Sequence, residues 1–198
     1  MIKPHGIDGL MFKHHNQESI SWYDPLKPYT LLEYEWVRAN CRLEGATVID
    51  AGCHHGNYSV VFKPAFVYAV DYIPLFCGYA AENMTLNEMD FRVECVNLGA
   101  NGVTTDRRVD IYKVDIEGGE YELFPVELAH YPSVHTWILE LHPKYGSPDN
   151  IAGMFYHCGF ELLKVDRDEM RVRPYVLGEK WPGHATLIAR VKDGKKSQ

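Results

Sequence analysis

Short apolar runs that end in an acid or a glycine alternate with longer amphipathic stretches along most of the chain. The runs ATVIDAG (46–52) and FVYAVD (66–71) are of this kind, and their length and composition are typical of buried strands. The stretches PYTLLEYEWVRANCRL (28–43) and PLFCGYAAENMTLNE (74–88) place apolar residues at helical spacing and begin with a proline, which suits a first helical turn. The pattern therefore predicts strands alternating with helices.

The same pattern continues to residue 191. NYSVVF (57–62) starts a further helix, DNIAGMFYHCGF (149–160) supplies another, and the remaining predicted strands are FRVECVNLGA (91–100), VDIYKVDIE (109–117), TWILELHP (136–143), ELLKVDR (161–167) and HATLIARV (184–191). Alternation of this kind predicts an α/β fold with a mostly parallel, seven-stranded sheet and helices on both faces. The last two strands lack a long connecting helix, so we expect an antiparallel edge.

We expect the 198 residues to form a single domain, because 46% of them are hydrophobic and suffice for one core. Its parts are an irregular or strand-bearing lead-in (1–27), a helix before the core (28–44), a Rossmann-like core (46–191) and a frayed tail (192–198). The lead-in has no clear period, and we expect it to help shape a substrate pocket.

The charge distribution and the cysteine pattern limit the classes of partner and the cellular compartment that we expect. The net charge is -7 and the Lys and Arg residues are scattered, which argues against nucleic acid. No run approaches the roughly 20 apolar residues of a membrane span, so we expect no membrane association. The five cysteines form no C-x-x-C pair, which favours neither disulfides nor structural zinc and fits a cytoplasmic protein. The oligomeric state stays open.

The turn VIDAGCHHGNYS (48–59) carries the pattern Asp50-x-Gly52-x-x-x-Gly56, and Asp71 ends the next predicted strand. Glycines let a backbone approach a ligand closely, and an acid at the second strand's tip accepts hydrogen bonds from ribose hydroxyls. A dinucleotide site prefers G-x-G-x-x-G, whereas His54 occupies the middle position. An acid at the start of the turn also suits an ammonium group, so S-adenosylmethionine is favoured over NAD as the cofactor.

We expect the cofactor to contact residues at the ends of four strands. These are Asp50, Gly52, His54, Gly56, Asp71, Tyr72, Asn97 and Asp115.

A family resemblance rests on four segments together: VIDAGCHHGNYS, VYAVD, YKVDIEGGEYELF and ILELHP. They resemble the FkbM-type branch of the class I S-adenosylmethionine-dependent methyltransferases, over roughly residues 48–143. The K-x-D-x-E-G-x-E block followed by E-x-H is the more specific part of the match. The sequence departs from the family at Cys53-His54-His55, where an Ala-Asn pair is usual. The resemblance implies a Rossmann-like methyltransferase fold and a small-molecule or sugar-like acceptor.

Acidic residues and a histidine follow the fourth and fifth predicted strands, which are neighbours in this fold. Residues two apart on a strand share a face, so Asp115 with Glu117, and Glu140 with His142, form two pairs that we expect to converge as catalytic residues. A hydroxyl acceptor must lose a proton as it attacks, and a base at this place serves that step. Glu120 and Glu122 are expected only to complement a helix dipole.

A metal site is not favoured. Adjacent residues on a tight turn rarely converge on one ion, which argues against Cys53-His54-His55, and there is no second His/Cys cluster at zinc spacing. A divalent cation held by some of Asp115, Glu117, Glu140 and His142 stays an open alternative, because oxygen ligands suit magnesium or calcium.

The leading hypothesis is an S-adenosylmethionine-dependent methyltransferase, acting on oxygen of a small-molecule or sugar-like acceptor as the resemblance implies. A non-catalytic S-adenosylmethionine-binding module is the first alternative, although such a module has no reason to keep the four catalytic candidates together. A nicotinamide-dependent oxidoreductase is the second, and the missing middle glycine disfavours it.

Overall fold

The computed structural model describes residues 1–98, 102–124, 126–181, 183 and 185–192. The tail expected at 192–198 therefore lies outside the described residues, except for its first position.

Ten strands occur in the described residues, and eight of them form one central sheet. In chain order the strands are β1 (Ile2–Pro4), β2 (Met11–Lys13), β3 (Thr47–Ala51), β4 (Phe66–Asp71), β5 (Phe91–Cys95), β6 (Ile111–Val114), β7 (Thr136–Leu141), β8 (Phe160–Asp166), β9 (Arg171–Pro174) and β10 (Ala185–Val191). The spatial order of the sheet is β5-β4-β3-β6-β7-β10-β8-β9. Strands β3 to β7 are parallel, while β10 runs antiparallel to both β7 and β8. The predicted fold class, a mostly parallel α/β sheet with an antiparallel edge, is confirmed.

The sheet has eight strands and not seven. The additional strand is β9, which pairs with β8 as an antiparallel hairpin. Its sequence RVRP offers no apolar alternation, so the hydrophobic pattern did not indicate a strand there. The turn before it is stabilised by Asp166, whose carboxylate accepts the backbone N–H groups of Asp168 and Glu169 at 3.1 and 3.0 Å.

The central strands are buried on both faces, as expected for a parallel sheet covered by helices. Neighbouring residues along a strand point to opposite faces, so Ile49 and Tyr112 pack in one core while Val48 and Ile111 pack in the other. All four side chains are fully buried. The sheet therefore separates two hydrophobic cores, and its polar residues are confined to strand ends and a few paired positions.

Six α-helices and one 3₁₀ helix are described. They are α1 (Gln17–Tyr23), α2 (Pro28–Asn40), the 3₁₀ helix (Ser59–Phe62), α3 (Pro74–Leu86), α4 (Glu120–Leu123), α5 (Val126–His130) and α6 (Pro148–His157). A proline opens α2, α3 and α6, where its missing N–H costs nothing. Helix α2 ends at Asn40 and not at 44, and NYSVVF forms only one 3₁₀ turn. Among the described residues, no helix has the length and apolar character needed to cross a bilayer.

The lead-in carries two short strands and a helix, so of the two expected forms it is strand-bearing and not irregular. Strands β1 and β2 pair with each other, and Asn16 and Ser19 form a capping box at the start of α1. The side-chain oxygens of Asn83 and Asn87 on α3 accept the backbone N–H groups of Lys13 and Met11 at 2.6 and 2.9 Å. Elements this short leave no detectable period in the sequence, so the pattern could not fix their positions.

The first prediction concerns the pH-dependent contribution of Asp166, in the hairpin turn, to the free energy of unfolding. Hydrogen bonds from the Glu169 amide and from Arg173 lower the pKa of Asp166 to about 2, below about 3.9 in an unfolded chain. Its contribution to stability is therefore present above pH 4 and is lost as the pH falls toward 2. We expect Asp166→Asn to lower the free energy of unfolding by about 1 kcal/mol at pH 7, and by less at pH 3.

Urea unfolding at the two pH values measures this difference. Asp168→Asn is the control, because Asp168 is exposed in the same turn. An equal loss for both variants, or a loss at Asp166 independent of pH, contradicts the prediction.

Candidate functional site

The glycine turn after β3 is shaped by close approaches between backbone segments. Gly52 has φ +79°, and a Cβ on it would lie 1.6 Å from the carbonyl oxygen of Asp115. Gly56 has φ +75°, and a Cβ there would lie 2.8 Å from Cα of Ala80 on α3. Only glycine fits both constraints. The two glycines thus bring the turn against the end of β6 and against α3, whatever ligand contact they also make.

A buried lysine connects two acids beneath this turn. Lys113 on β6 lies 3.4 Å from Oδ1 of Asp50 and 3.5 Å from Oδ2 of Asp115, and its Nζ donates to the carbonyl of Gly52 at 3.2 Å. Asp50 is fully buried, and its other oxygen accepts the Ser59 hydroxyl at 2.5 Å. Burial opposes the charge on Lys113, but Asp50, Asp115 and Glu140 raise its pKa above the ordinary value. The lysine is therefore a fixed cation under the site.

Asp71 lies at the end of β4, as predicted, and both of its carboxylate oxygens accept hydrogen bonds from backbone amides. Oδ2 accepts the N–H of His54 at 2.9 Å, and Oδ1 accepts the N–H of Ile73 at 3.0 Å. The next residue, Tyr72, is 67% exposed, and Asn97 is exposed just beyond β5. The predicted cofactor residues thus line the carboxyl ends of β3, β4, β5 and β6, and their contacts with a cofactor stay a prediction.

Aromatic rings gather at the glycine turn. The Nδ1 atoms of His54 and His55 are 3.0 Å apart, and the Tyr23 hydroxyl lies 2.5 Å from Nδ1 of His54. Glu18 of α1, His54 and His55 form a group whose ligand atoms lie within 4.8 Å of one another. The two adjacent histidines therefore lie close together, with His54 at φ +48°, while Cys53 is not part of this group. That the Cys53-His54-His55 turn holds no metal ion stays a prediction. Burial lowers the pKa of His55 to about 3, which keeps its imidazole neutral.

The carboxyl ends of β6 and β7 bring together three of the four predicted catalytic residues. Nε2 of His142 lies 3.5 Å from Oε2 of Glu117 and 3.9 Å from Oδ1 of Asp115. His142 is buried, Asp115 is partly exposed and the Glu117 side chain is 78% exposed. The three side chains form an acidic group, Asp115–Glu117–His142, that opens to solvent.

Glu120 fixes the orientation of His142, one member of this group, by a hydrogen bond. Its Oε1 is hydrogen-bonded to Nδ1 of His142, and its Oε2 accepts the N–H of Gly118 at 2.5 Å. The residue is fully buried, so the expectation that Glu120 only complements a helix dipole is wrong. Burial opposes protonation of His142, but the bond to Glu120 and the charges of Glu120, Asp115 and Glu117 raise the pKa of His142 to about 9.

Glu140 takes a different place from the one expected. Its Oε1 pairs with Nη2 of Arg167 at 3.3 Å, and Arg167 in turn lies over the Tyr29 ring. Burial, then Asp115 and Glu33, raise the pKa of Glu140 to about 7. The four predicted residues therefore do not all converge: three form the acidic group, while Glu140 remains close enough to Asp115 to feel its charge.

Sequence analysis missed two residues of the site, Lys113 and Glu120. A signal for Lys113 was present, since a lysine between Tyr112 and Val114 in an apolar strand must find a partner. Glu120 gave a weaker signal, because an acid in the first turn of a helix has an ordinary explanation.

The arrangement places anionic and hydrogen-bonding groups at one end of the sheet, around a turn held by a buried cation. Such a site can bind a ligand with a positive centre, orient a hydroxyl or amine, and receive a proton. The carboxyl ends of parallel strands are also where open α/β sheets bind their ligands.

Comparisons with known proteins agree with this architecture. No protein-family model matches the sequence, and a search of curated proteins finds no match. Solved structures do match. Magnesium protoporphyrin IX methyltransferase from Synechocystis PCC 6803, with bound SAM, has a TM-score of 0.55 and 21% identity, covering 83% of this chain and 79% of that one.

Two further matches act on other classes of acceptor, according to their names. The ribosomal protein L11 methylase from Lactobacillus delbrueckii subsp. bulgaricus has a TM-score of 0.56 and 18% identity, covering 93% of this chain and 83% of that one. A putative RNA methyltransferase from Pyrococcus horikoshii has a TM-score of 0.55 and 14% identity, covering 94% and 93%. The chain has the class I methyltransferase fold. Identities this low show the fold and not the acceptor.

The second prediction concerns the contribution of the buried Lys113 to the free energy of unfolding. Lys113→Met removes the cation between Asp50 and Asp115, and breaking a buried ion pair from one side costs about 3–5 kcal/mol. We expect urea unfolding at pH 7 to show a loss of this order. Lys113→Met combined with Asp50→Asn should recover part of it, because one uncompensated carboxylate is then gone. A double variant less stable than Lys113→Met alone contradicts the proposed pairing.

Proposed function

We propose that the protein is an S-adenosylmethionine-dependent O-methyltransferase of the FkbM type, with a small-molecule or sugar-like acceptor. The observation that carries the proposal is the position of the acidic group Asp115–Glu117–His142. It stands at the carboxyl ends of two neighbouring parallel strands, beside the glycine turn, in a class I methyltransferase fold. The sequence resemblance supports the FkbM assignment.

The residues at the glycine turn fit the cofactor. Each oxygen of Asp71 accepts one backbone amide, and a carboxylate oxygen has a further lone pair for a ribose hydroxyl. Asp115 offers a carboxylate for the ammonium group of the methionine portion. S-adenosylmethionine supplies a methyl group on a positively charged sulfur, and the negative charges around Asp115 favour such a ligand.

The acidic group acts on the acceptor. As the acceptor oxygen attacks the methyl carbon, its O–H bond breaks, the new C–O bond forms and the C–S bond breaks. The proton passes to a carboxylate of the site, and the sulfur keeps the electron pair. Positioning of the two reactants supplies about 7–11 kcal/mol in such reactions. The pairing of Glu120 with His142 and of Arg167 with Glu140 fixes the groups that do the positioning.

Charge favours a small acceptor over nucleic acid. The chain has a net charge of -7, and Glu117 places an exposed carboxylate at the mouth of the site. A phosphate backbone would be repelled there. An uncharged or cationic small molecule would not be repelled by these carboxylates. Carboxylates also accept hydrogen bonds from sugar hydroxyls.

The third prediction concerns the cofactor. S-adenosylhomocysteine should raise the melting temperature, whereas NAD should not, because the turn lacks the middle glycine of a pyrophosphate site. Asp71→Ala should weaken S-adenosylhomocysteine binding about 10- to 100-fold, the usual value of a hydrogen bond to a charged group. Isothermal titration calorimetry measures the affinity.

Asp90→Ala is the matched control, since Asp90 is exposed at the opposite end of the sheet, before β5. Equal affinity in the Asp71 and Asp90 variants means that Asp71 does not bind the ribose. Because Asp71 also holds the His54 amide, circular dichroism must show that the variant is folded.

The fourth prediction separates donor binding from methyl transfer. Glu140→Gln and His142→Ala should leave S-adenosylhomocysteine affinity within about twofold and depress methyl transfer about 10²–10⁴-fold, the usual range for proton-transfer groups. Asp115→Asn should impair both quantities, because Asp115 lies beside Gly52 and the donor's expected methionine portion. Release of S-adenosylhomocysteine is measured with a panel of hydroxylated small molecules and sugars.

Glu161→Gln serves as the control, since Glu161 pairs with Arg190 on the far strands. Loss of donor affinity in both the Glu140 and His142 variants, with folding intact, places these residues in the cofactor pocket and overturns the division of roles.

A further inference from the structure

The three side chains of the acidic group are spaced as ligands of one metal ion. Nε2 of His142 is 3.5 Å from Oε2 of Glu117 and 3.9 Å from Oδ1 of Asp115, and all three ligand atoms lie within 4.8 Å of one another. Ligand atoms about 2.1 Å from a common ion stand about 3.0–3.5 Å apart. Small side-chain rotations therefore bring all three atoms onto one ion.

The histidine is presented as metal-binding histidines usually are. A metal-ligating histidine almost always donates its second ring N–H to a carboxylate or a carbonyl. Here Nδ1 of His142 is bonded to the fully buried Glu120, which is not itself in the group of three. Glu120 is held by the Gly118 amide, so the imidazole has one orientation, with Nε2 directed at Asp115 and Glu117.

The charge balance around the group also favours a cation. Four carboxylates, from Asp50, Asp115, Glu117 and Glu120, surround the end of β6, whereas only Lys113 and a protonated His142 provide positive charge. An ion bound at Nε2 of His142 takes the place of the proton on that nitrogen, which is released to solvent. Glu117 is 78% exposed, which gives an ion a route from solvent. An ion bound by three protein atoms keeps further positions for water or substrate.

We propose that Asp115, Glu117 and His142 bind a divalent cation that accepts mixed oxygen and nitrogen ligands, such as Mn²⁺ or Zn²⁺. Two carboxylates and one imidazole suit such ions better than Ca²⁺, which prefers oxygen alone. On the proposed function, on which this step rests, the acceptor hydroxyl occupies an open position. The ion polarises the O–H bond, the Glu140 carboxylate takes the proton, and the oxidation state of the ion does not change.

Mn²⁺ binding to the full chain tests the site. The protein is treated with EDTA and dialysed, and Mn²⁺ binding is followed by calorimetry and by the electron paramagnetic resonance signal of free Mn²⁺. We expect one strong site. Glu117→Gln should weaken it at least tenfold, and Glu120→Gln about 10- to 100-fold, as for other partners of ligating histidines. Glu122→Gln, an exposed acid on the same helix as Glu120, should leave it unchanged.

Glu117 is exposed, so its variant should stay folded and the result remain interpretable. Equal weakening by Glu117→Gln and Glu122→Gln, or lack of a strong site in the wild-type chain, overturns the proposal. Loss of the strong site in His55→Ala with retention in Glu117→Gln also overturns it, because the ion then binds at Glu18, His54 and His55. The S-adenosylhomocysteine melting shift, measured without metal, tests the proposed function separately.

Discussion

The ion pairs of Lys113 with Asp50 and Asp115 hold the glycine turn and the end of β6 together. Lys113 also donates to the Gly52 carbonyl, so one side chain contacts both sides of the closest backbone approach in the site. A lysine buried in the sheet requires both acids to offset its desolvation. The same ion pair fixes the position of Asp115 at the end of β6. Glu117 and His142, the other members of the acidic group, lie next to it. The geometry of the candidate site therefore depends on the charge of Lys113, a residue that the hydrophobic pattern indicated only as part of a strand.

The sheet could be predicted from the sequence because its strands are short apolar runs with buried residues on both faces. The same reasoning placed Asp71 at a strand tip and brought Asp115, Glu117 and His142 to one edge, since the carboxyl ends of neighbouring parallel strands meet there. These placements follow from topology alone, without knowledge of any side-chain contact.

Other features depend on contacts between residues far apart in the chain. Glu140 was expected beside His142, but Arg167 follows β8, and no local pattern indicates that the two meet. Glu120 resembled any acid in the first turn of a helix until its bond to His142 was seen. The lead-in hairpin owes its position to Asn83 and Asn87 on α3, some 70 residues away in the chain. Strand periodicity carries no information about such partners.

The insertion of β10 between β7 and β8 has a consequence for biosynthesis. Strand β7 carries Glu140 and leads into His142, yet one of its edges stays unpaired until residues 185–191 have been made. A growing polypeptide on the ribosome can pair β3 to β7 in parallel, but it exposes the β7 edge while β8 and β9 emerge. An open apolar edge invites pairing with other chains. Slow translation between residues 142 and 191 should therefore favour misassembly, and chaperone binding to the nascent chain should be strongest in that interval.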